Sequence, residues 1–378
     1  MKLVRPFQKK LYQRFREKAP LIQILIGPRQ VGKTTAAQEI YRQWQGHKLM
    51  IAADSPTPPP GEWIKWNWEK ALAMGPDTLL IIDEVQKVTG WNEIVKSLFD
   101  QERGKGNLKV LLLGSSSLYL QKGISESLAG RFELTRASHW TYGECKDYFS
   151  WSIEDYLQFG GYPGAAPFIK DHERWQSYIL NSIIEPVLSR DIQGQQNIRN
   201  PALFRQTFEL IMRYPSQIVS LQKLLGQLQD KGNAATIKHY LNLFEKCFLI
   251  RCLEKFSGSH VKTKASSPKI TILNPALISA YQPRERLRND RGWYGHILET
   301  VIGFHLTLLP NSELFYWKHG NFEVDYILKT PKETVAIEIK SGHEKTSAGL
   351  KEFSKRYPKI RCELWDHGEC KKFISSNI

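Results

Sequence analysis

The sequence predicts an α/β chain in three parts: a parallel-sheet domain with a helical lid over residues 1–200, a helix-turn-helix region over 201–265, and a second α/β domain over 266–378. Three observations predict it. Short apolar runs of β-formers, each closing on Gly or Asp, alternate with helical periodicity before residue 140, as expected where parallel strands are buried on both faces. Two helical stripes with a turn between them precede two short strands in the middle of the chain. After residue 310, charged and apolar residues alternate along short strands that follow a helix.

Composition bounds the partners. The 378 residues are 41% hydrophobic, enough for a sizeable core. No apolar run reaches the roughly 18 residues that span a bilayer, and the polar N-terminal stretch lacks a signal-peptide core, so no membrane partner is expected. Five cysteines (Cys145, Cys247, Cys252, Cys362, Cys370) are scattered and form no CxxC pair. That argues against a zinc knuckle or a disulfide framework and for a reducing, cytoplasmic setting. The net charge of +15 concentrates polyanions near the surface; nucleic acid, acidic lipid and acidic protein all answer to that field.

In the first part, Leu21-Ile22-Gln23-Ile24-Leu25-Ile26 reads as a buried strand. It runs into Gly27-Pro28-Arg29-Gln30-Val31-Gly32-Lys33-Thr34, and a helix continues from Thr35. This is the phosphate-loop pattern, GxxxxGK[ST]. Its glycines let the backbone wrap closely around phosphate, while the N–H groups and the helix N-terminus supply positive potential. Lys33 is expected on the β- and γ-phosphates of a nucleotide and the Thr34 hydroxyl on Mg²⁺. A second apolar strand, residues 78–82, ends in Asp83-Glu84. Asp83 suits the magnesium water shell and Glu84 the polarisation of attacking water. A third strand, 109–113, ends in Gly114-Ser115-Ser116-Ser117, where Ser115 serves either as a γ-phosphate contact or in capping the following segment. A helix with Trp91, Ile94, Val95 and Leu98 on one side lies between them. Tryptophans 63, 66 and 68 fit packing of a surface excursion better than base stacking. Arg131 follows a glycine turn and fits two roles, neutralising γ-phosphate charge in cis or from a neighbouring subunit, or pairing on the surface; Arg136 is its rival.

From Thr141 to about Phe204 the pattern is helical, interrupted at Gly160-Gly161-Tyr162-Pro163-Gly164. Arg190-Asp191 lies in it, serving the nucleotide site or a surface pair. Further on, Leu221, Leu224, Leu225 and Leu228 form a stripe, and Asn233 caps a helix with Ile237, Tyr240, Leu241 and Phe244 inward. Strands near Ile250 and over 269–273, with a basic stretch between them as a wing, complete a winged helix-turn-helix layout. Lys238, His239 and Lys246 are then available to phosphates, although such modules also serve as protein adaptors.

In the last part a helix carries Glu299, and strand pairing over 313–340 is expected to gather Glu323, Asp325, Glu338 and Lys340. Period-two geometry puts Glu323 and Asp325 on one face, opposite Val324, Tyr326 and Leu328. Asp325 and Glu338 suit Mg²⁺, with the Ile339 carbonyl and Glu299 adding to the shell and Lys340 orienting or activating water. This is a nuclease-like arrangement.

On these motifs the chain resembles the prokaryotic AAA+-type P-loop ATPases of the AAA_14/DUF4143 family. Besides the phosphate loop and Asp83-Glu84, the matching stretches include Leu128-Ala129-Gly130-Arg131, Gly160-Gly161-Tyr162-Pro163 and Ser189-Arg190-Asp191-Ile192. The end of the chain is similar to PD-(D/E)XK nucleases, with Glu299, Asp325 and Glu338-Ile339-Lys340 in the motif places. The resemblance implies an ATPase core, a winged-helix region and a restriction-endonuclease-like end, with ATP preferred over GTP. The chain departs from the family at Leu273-Asn274-Pro275-Ala276, where members often carry Asp-x-Gly, so no chemistry is carried over from that turn. The functional expectation is Mg²⁺-dependent ATP hydrolysis coupled to DNA binding, with metal-dependent DNA cleavage. The competing expectation is an ATP-regulated protein-interaction scaffold with an inactive nuclease-like domain. An oligomer fits either.

Overall fold

A computed structural model describes residues 4–17, 21–102, 108–115, 128–194, 196, 198–228, 232–257, 266–342 and 346–376. Ser116, Ser117, Asp230 and Lys231 of the turn expected over 230–233, residues 258–265 of the expected wing and Lys345 lie outside the described residues. The chain divides into two compact units, Met1–Ser138 with Ser189–Gln196, and His139–Leu188 with Asn197–Ile378.

The first unit is built on five parallel strands: β1 (Ile22–Ile26), β2 (Lys48–Ala52), β3 (Thr78–Asp83), β4 (Leu108–Leu113) and β5 (Phe132–Arg136), in the order β2-β3-β4-β1-β5. β1 and β3 are buried along their whole length, as their apolar runs require. Register aligns Leu25 with Leu113 and Ile82 with Leu112. The segments that follow β1, β3 and β4 therefore leave the sheet side by side at its carboxyl edge. Trp91, Val95 and Leu98 of the Trp91–Glu102 helix are buried as expected. Trp68 is buried in the Gly61–Ala73 helix, whereas Trp66 is 64% exposed.

The second unit opens with two helices, Tyr142–Phe149 and Ile153–Phe159, each started by a capping box (Thr141 with Glu144, Ser152 with Asp155). A single seven-stranded sheet follows: β6 (Gln217–Ile218), β7 (Ile250–Lys255), β8 (Lys269–Ile272), β9 (Glu313–His319), β10 (Phe322–Lys329), β11 (Thr334–Ile339) and β12 (Arg361–Trp365), in the order β12-β11-β10-β9-β7-β8-β6. β11 and β12 are parallel, as are β7 and β9; the other neighbours are antiparallel.

These units do not divide at residues 200 and 265. Backbone pairing of Glu254 with Phe315 joins the middle strands to the last ones in one sheet. The helical stretch expected as a lid is tied, up to Leu188, to the C-terminal elements. His139 bonds Asn274 and the Phe248 carbonyl, and the Tyr142 N–H donates to His305. Gly160 has φ +64°, and a Cβ there would lie 2.1 Å from the Asn274 side-chain oxygen, which accepts from the Gly161 N–H. Asn274, at the place of departure from the family pattern, is thus a structural bracket for the Gly160-Gly161 turn.

Candidate functional site

At the carboxyl edge of the first sheet, residues 27–32 turn from β1 into the Lys33–Gln43 helix. The turn depends on two glycines. A Cβ on Gly27 would lie 2.4 Å from the Ala137 carbonyl oxygen, and Gly32 has φ +90°. Gln30 also adopts a left-handed backbone at φ 56°. The buried Arg5 braces the loop from behind, donating to the Val31 carbonyl at 2.9 Å and the Ser138 carbonyl at 3.2 Å.

The Lys33 ammonium turns into the loop and donates to the Gly27 and Pro28 carbonyls at 3.0 and 2.6 Å. Desolvation there pushes its pKa down to about 8, against the pull of Glu84 and Asp83. Thr34 and Thr35 are exposed in the first helical turn, and the Thr34 hydroxyl donates to Asp83 Oδ2 at 2.8 Å. The other Asp83 oxygen accepts the Glu84 N–H at 2.9 Å. Glu84, directly after β3, adopts a left-handed conformation, φ 53°, ψ 35°, the kind of strained backbone that collects at functional sites. Burial, then the neighbouring Asp83, raises its carboxyl pKa. Gln86 links two predicted residues: its amide donates to Glu84 Oε2 at 2.5 Å and to Ser115 Oγ at 3.4 Å.

Arg29, on the loop, forms a two-pronged pair with Asp191, at 2.6 and 2.5 Å. Asp191 is almost fully buried, so the ambiguous Arg190-Asp191 motif serves the loop through Asp191. No spacing could have shown this, because 162 residues separate the partners.

Arg131 is not brought to this cluster. It precedes β5, and its guanidinium is held by Asp100 at 2.7 and 2.9 Å. The Ile22 N–H donates to its carbonyl. It therefore stands at the amino edge of the sheet, one strand length (about 16 Å at the usual rise) from the loop. The surface pair replaces the cis role. Arg136, opposite Ile26 in register, lies at the loop's edge.

In the second unit, β10 departs from period two. Between Val324 and Ile327 the strand advances three residues while β9 advances two, from Trp317 to Phe315. This bulge re-aims the side chains. Val324 joins Ile327 in a core with Trp317, Leu350 and Phe353. Tyr326 turns instead to the Arg291–Thr307 helix, where its hydroxyl donates to the Glu299 carbonyl at 2.9 Å. The expectation that Val324 and Tyr326 share a face is thus corrected.

The expected carboxylates do meet a cation, but one the sequence reading did not consider. Lys269, fully buried on β8, places its Nζ 2.6 Å from Glu299 Oε1, 3.3 Å from Asp325 Oδ1 and 3.6 Å from Glu323 Oε1. It also donates to the Asp325 carbonyl at 3.2 Å and lies 5.0 Å from the centre of the Tyr326 ring. Burial alone would lower its pKa, but Glu299 and Asp325 overcome this and hold it well above the usual lysine value. The second Asp325 oxygen accepts the Ile339 N–H at 2.8 Å. Glu338 pairs with Lys340 at 3.2 Å, and its pKa is pushed up to about 7 by burial and by Asp325. Among the described residues, no group of three or more His, Cys, Asp or Glu side chains is placed to hold a metal ion. A lysine inside a strand of otherwise buried residues was the available signal for this cluster.

Matches to known domain families cover the chain in three pieces. An AAA domain (AAA_14) matches residues 19–146, and domains of unknown function match residues 150–288 (DUF8612) and 294–368 (DUF4143). The chain carries an AAA+-type P-loop ATPase domain and a DUF4143 C-terminal domain. An uncharacterized protein of Methanocaldococcus jannaschii is 25% identical over 68% of this chain, and the match spans only 60% of that relative's length. An uncharacterized protein of Mycobacterium tuberculosis is 27% identical over 85% of this chain and 70% of its own. Among solved structures, a Walker-type ATPase of Pyrococcus abyssi superposes with a TM-score of 0.51 at 13% identity, covering 74% of this chain and 95% of that one. That likeness is one of fold. Among the described residues, no helix is long and apolar enough to cross a membrane.

Proposed function

We propose that the chain is a cytoplasmic, Mg²⁺-dependent ATPase whose turnover controls DNA binding by the second unit. The 2.8 Å bond between Thr34 and Asp83 carries this reading. It sets a hydroxyl and a carboxylate together beside Lys33, at the strand ends where a phosphate chain and its cation are held. Thr34 and Asp83 fit magnesium, which supplies charge neutralisation at the β- and γ-phosphates when bound with the nucleotide. Lys33 exchanges the Gly27 and Pro28 carbonyls for phosphate oxygens, and the backbone N–H groups from Arg29 to Thr34 cradle them. Glu84 orients and polarises the attacking water, steadied by Gln86, which also keeps Ser115 near the γ-phosphate position. Adenine is preferred on resemblance alone.

Lys33→Ala is expected to abolish measurable ATP binding in calorimetry, and Glu84→Gln to retain ATP with little turnover. Unchanged nucleotide binding by the Lys33 variant refutes the site. A trans role for Arg131 requires an oligomer, and then specific activity rises with protein concentration.

The order of elements over residues 201–272 supports a winged helix. The Pro201–Ile211 helix, β6, the Leu221–Leu225 and Ala234–Lys246 helices and the β7–β8 pair follow one another, with β8 between β6 and β7. Lys238, His239 and Lys246 lie exposed on the second helix of the pair. The helix, the three strands β9 to β11, the Ala348–Arg356 helix and parallel β12 support a nuclease-like end. DNA retention that depends on nucleotide and falls steeply with salt would support coupling. Absence of DNA binding at low salt in every nucleotide state would favour the ATP-regulated protein scaffold, which the position of Lys269 also favours.

A further inference from the structure

We infer that Lys269 is a built-in cation that closes the C-terminal carboxylate cluster to divalent metal, so that the nuclease-like part of this chain engages its partner without metal-dependent cleavage. The inference does not rest on the ATPase reading, since every residue in it belongs to the second unit.

The ammonium occupies the place a metal would need. Its distances of 2.6, 3.3 and 3.6 Å to Glu299, Asp325 and Glu323 leave no room for an ion that takes the same oxygens at about 2.0–2.1 Å. A second positive charge beside it is also strongly repelled at low dielectric. Lys269 cannot easily withdraw. β8 is hydrogen-bonded on both sides, with Lys269 opposite Leu253 on β7 and Ile218 on β6, and its side chain has no exposed surface. Two further oxygens are committed, whereas Glu338 Oε2 is buried with no hydrogen-bond partner among the described residues. Asp325 Oδ2 receives the Ile339 N–H, and Glu338 Oε1 faces Lys340. Metal ligation by Asp325 would thus require breaking a buried ion pair and leaving the Lys269 charge unmatched. The expected metal set does not fit the geometry.

The test is Mn²⁺ binding to the full chain, read as loss of the free-ion electron paramagnetic resonance signal. No nucleotide is added, and the chain carries Asp83→Asn so that the phosphate loop contributes nothing. With Lys269 present, Asp325→Asn should leave the binding curve unchanged. Lys269→Met, which keeps the stem and removes the charge, should gain one Mn²⁺ equivalent that is lost again when Asp325→Asn is added. Mn²⁺ binding in the Lys269 protein that disappears with Asp325→Asn overturns the inference, as does a folded Lys269→Met protein that gains no binding. Should Lys269→Met fail to fold, the comparison with Lys269 intact decides alone. Incubation of the Lys269 protein with plasmid and Mn²⁺ provides a second readout, in which Asp325-dependent nicking counts against the inference. ATPase activity, measured separately without the Asp83 substitution, is unaffected by either outcome.

Discussion

Lowering the pH should destabilise the second unit through a single buried imidazole, His305. In the Arg291–Thr307 helix this ring has Nδ1 2.8 Å from the Val301 carbonyl and Nε2 3.3 Å from the Tyr142 N–H. A carbonyl can only accept and a backbone N–H can only donate, so the ring is neutral with its proton on Nδ1. Protonating Nε2 would set two N–H groups against each other in a fully buried site. Burial accordingly pushes the pKa down from 6.5 to about 4, against smaller upward pulls from the Val301 bond and from Glu144 on the helix packed alongside. The folded pKa lies below the unfolded one, so between pH 6.5 and 4 the unfolded chain binds more protons, and stability falls as the pH drops. Integrated to pH 5, the loss is about 2 kcal/mol, and it is absent above pH 7. Chemical denaturation of the full chain at pH 7 and pH 5, beside His305→Gln, reads this directly. The variant should start less stable and lose less on acidification. An equal loss in both proteins, or an imidazole resonance assigned to His305 that titrates near 6.5, refutes the reasoning.

Other expectations follow from single contacts. Asp191→Asn removes the charge that holds Arg29 and should cost about 1–2 kcal/mol. In a double-mutant cycle with Arg29→Gln the losses should fall short of additivity, and additive losses would show that the pair contributes nothing. Gly349→Ala places a Cβ 1.8 Å from the Glu323 carbonyl oxygen, so the Ala348–Arg356 helix or β10 must shift. A loss of about 1–3 kcal/mol is expected, whereas Gly342→Ala, which meets nothing within 4 Å, is the near-neutral control. Equal melting temperatures for the two alanine variants would contradict the close approach.

The nucleotide side of the protein was legible because its chemistry is local. Gly27 to Thr34 is one uninterrupted turn, and the apolar strand before Asp83 announces its burial. Only the meeting of Thr34 with Asp83 needed the sheet, and strand alternation with helices already implied it. The C-terminal side was half legible. Glu299, Asp325, Glu338 and Lys340 were identified by type and by strand parity, yet parity failed at the bulge between Val324 and Ile327. One extra residue there turns Tyr326 to the opposite face from Val324, and period-two reasoning carries no signal for it.

The sequence by itself determined the phosphate loop, the acidic strand end that partners it, and the succession of helices and strands that places a carboxylate-bearing region at the C-terminal end. These follow from residue type and short-range periodicity, which physical chemistry reads along the chain. Tertiary structure alone decided that Asp191 anchors Arg29, that Arg131 belongs to Asp100 at the far edge of the sheet, and that Lys269 fills the carboxylate cluster. Each of these rests on a charge meeting its partner across tens to more than a hundred residues, and for the buried Asp191 and Lys269 the partner is selected by the cost of leaving a charge unmatched away from water.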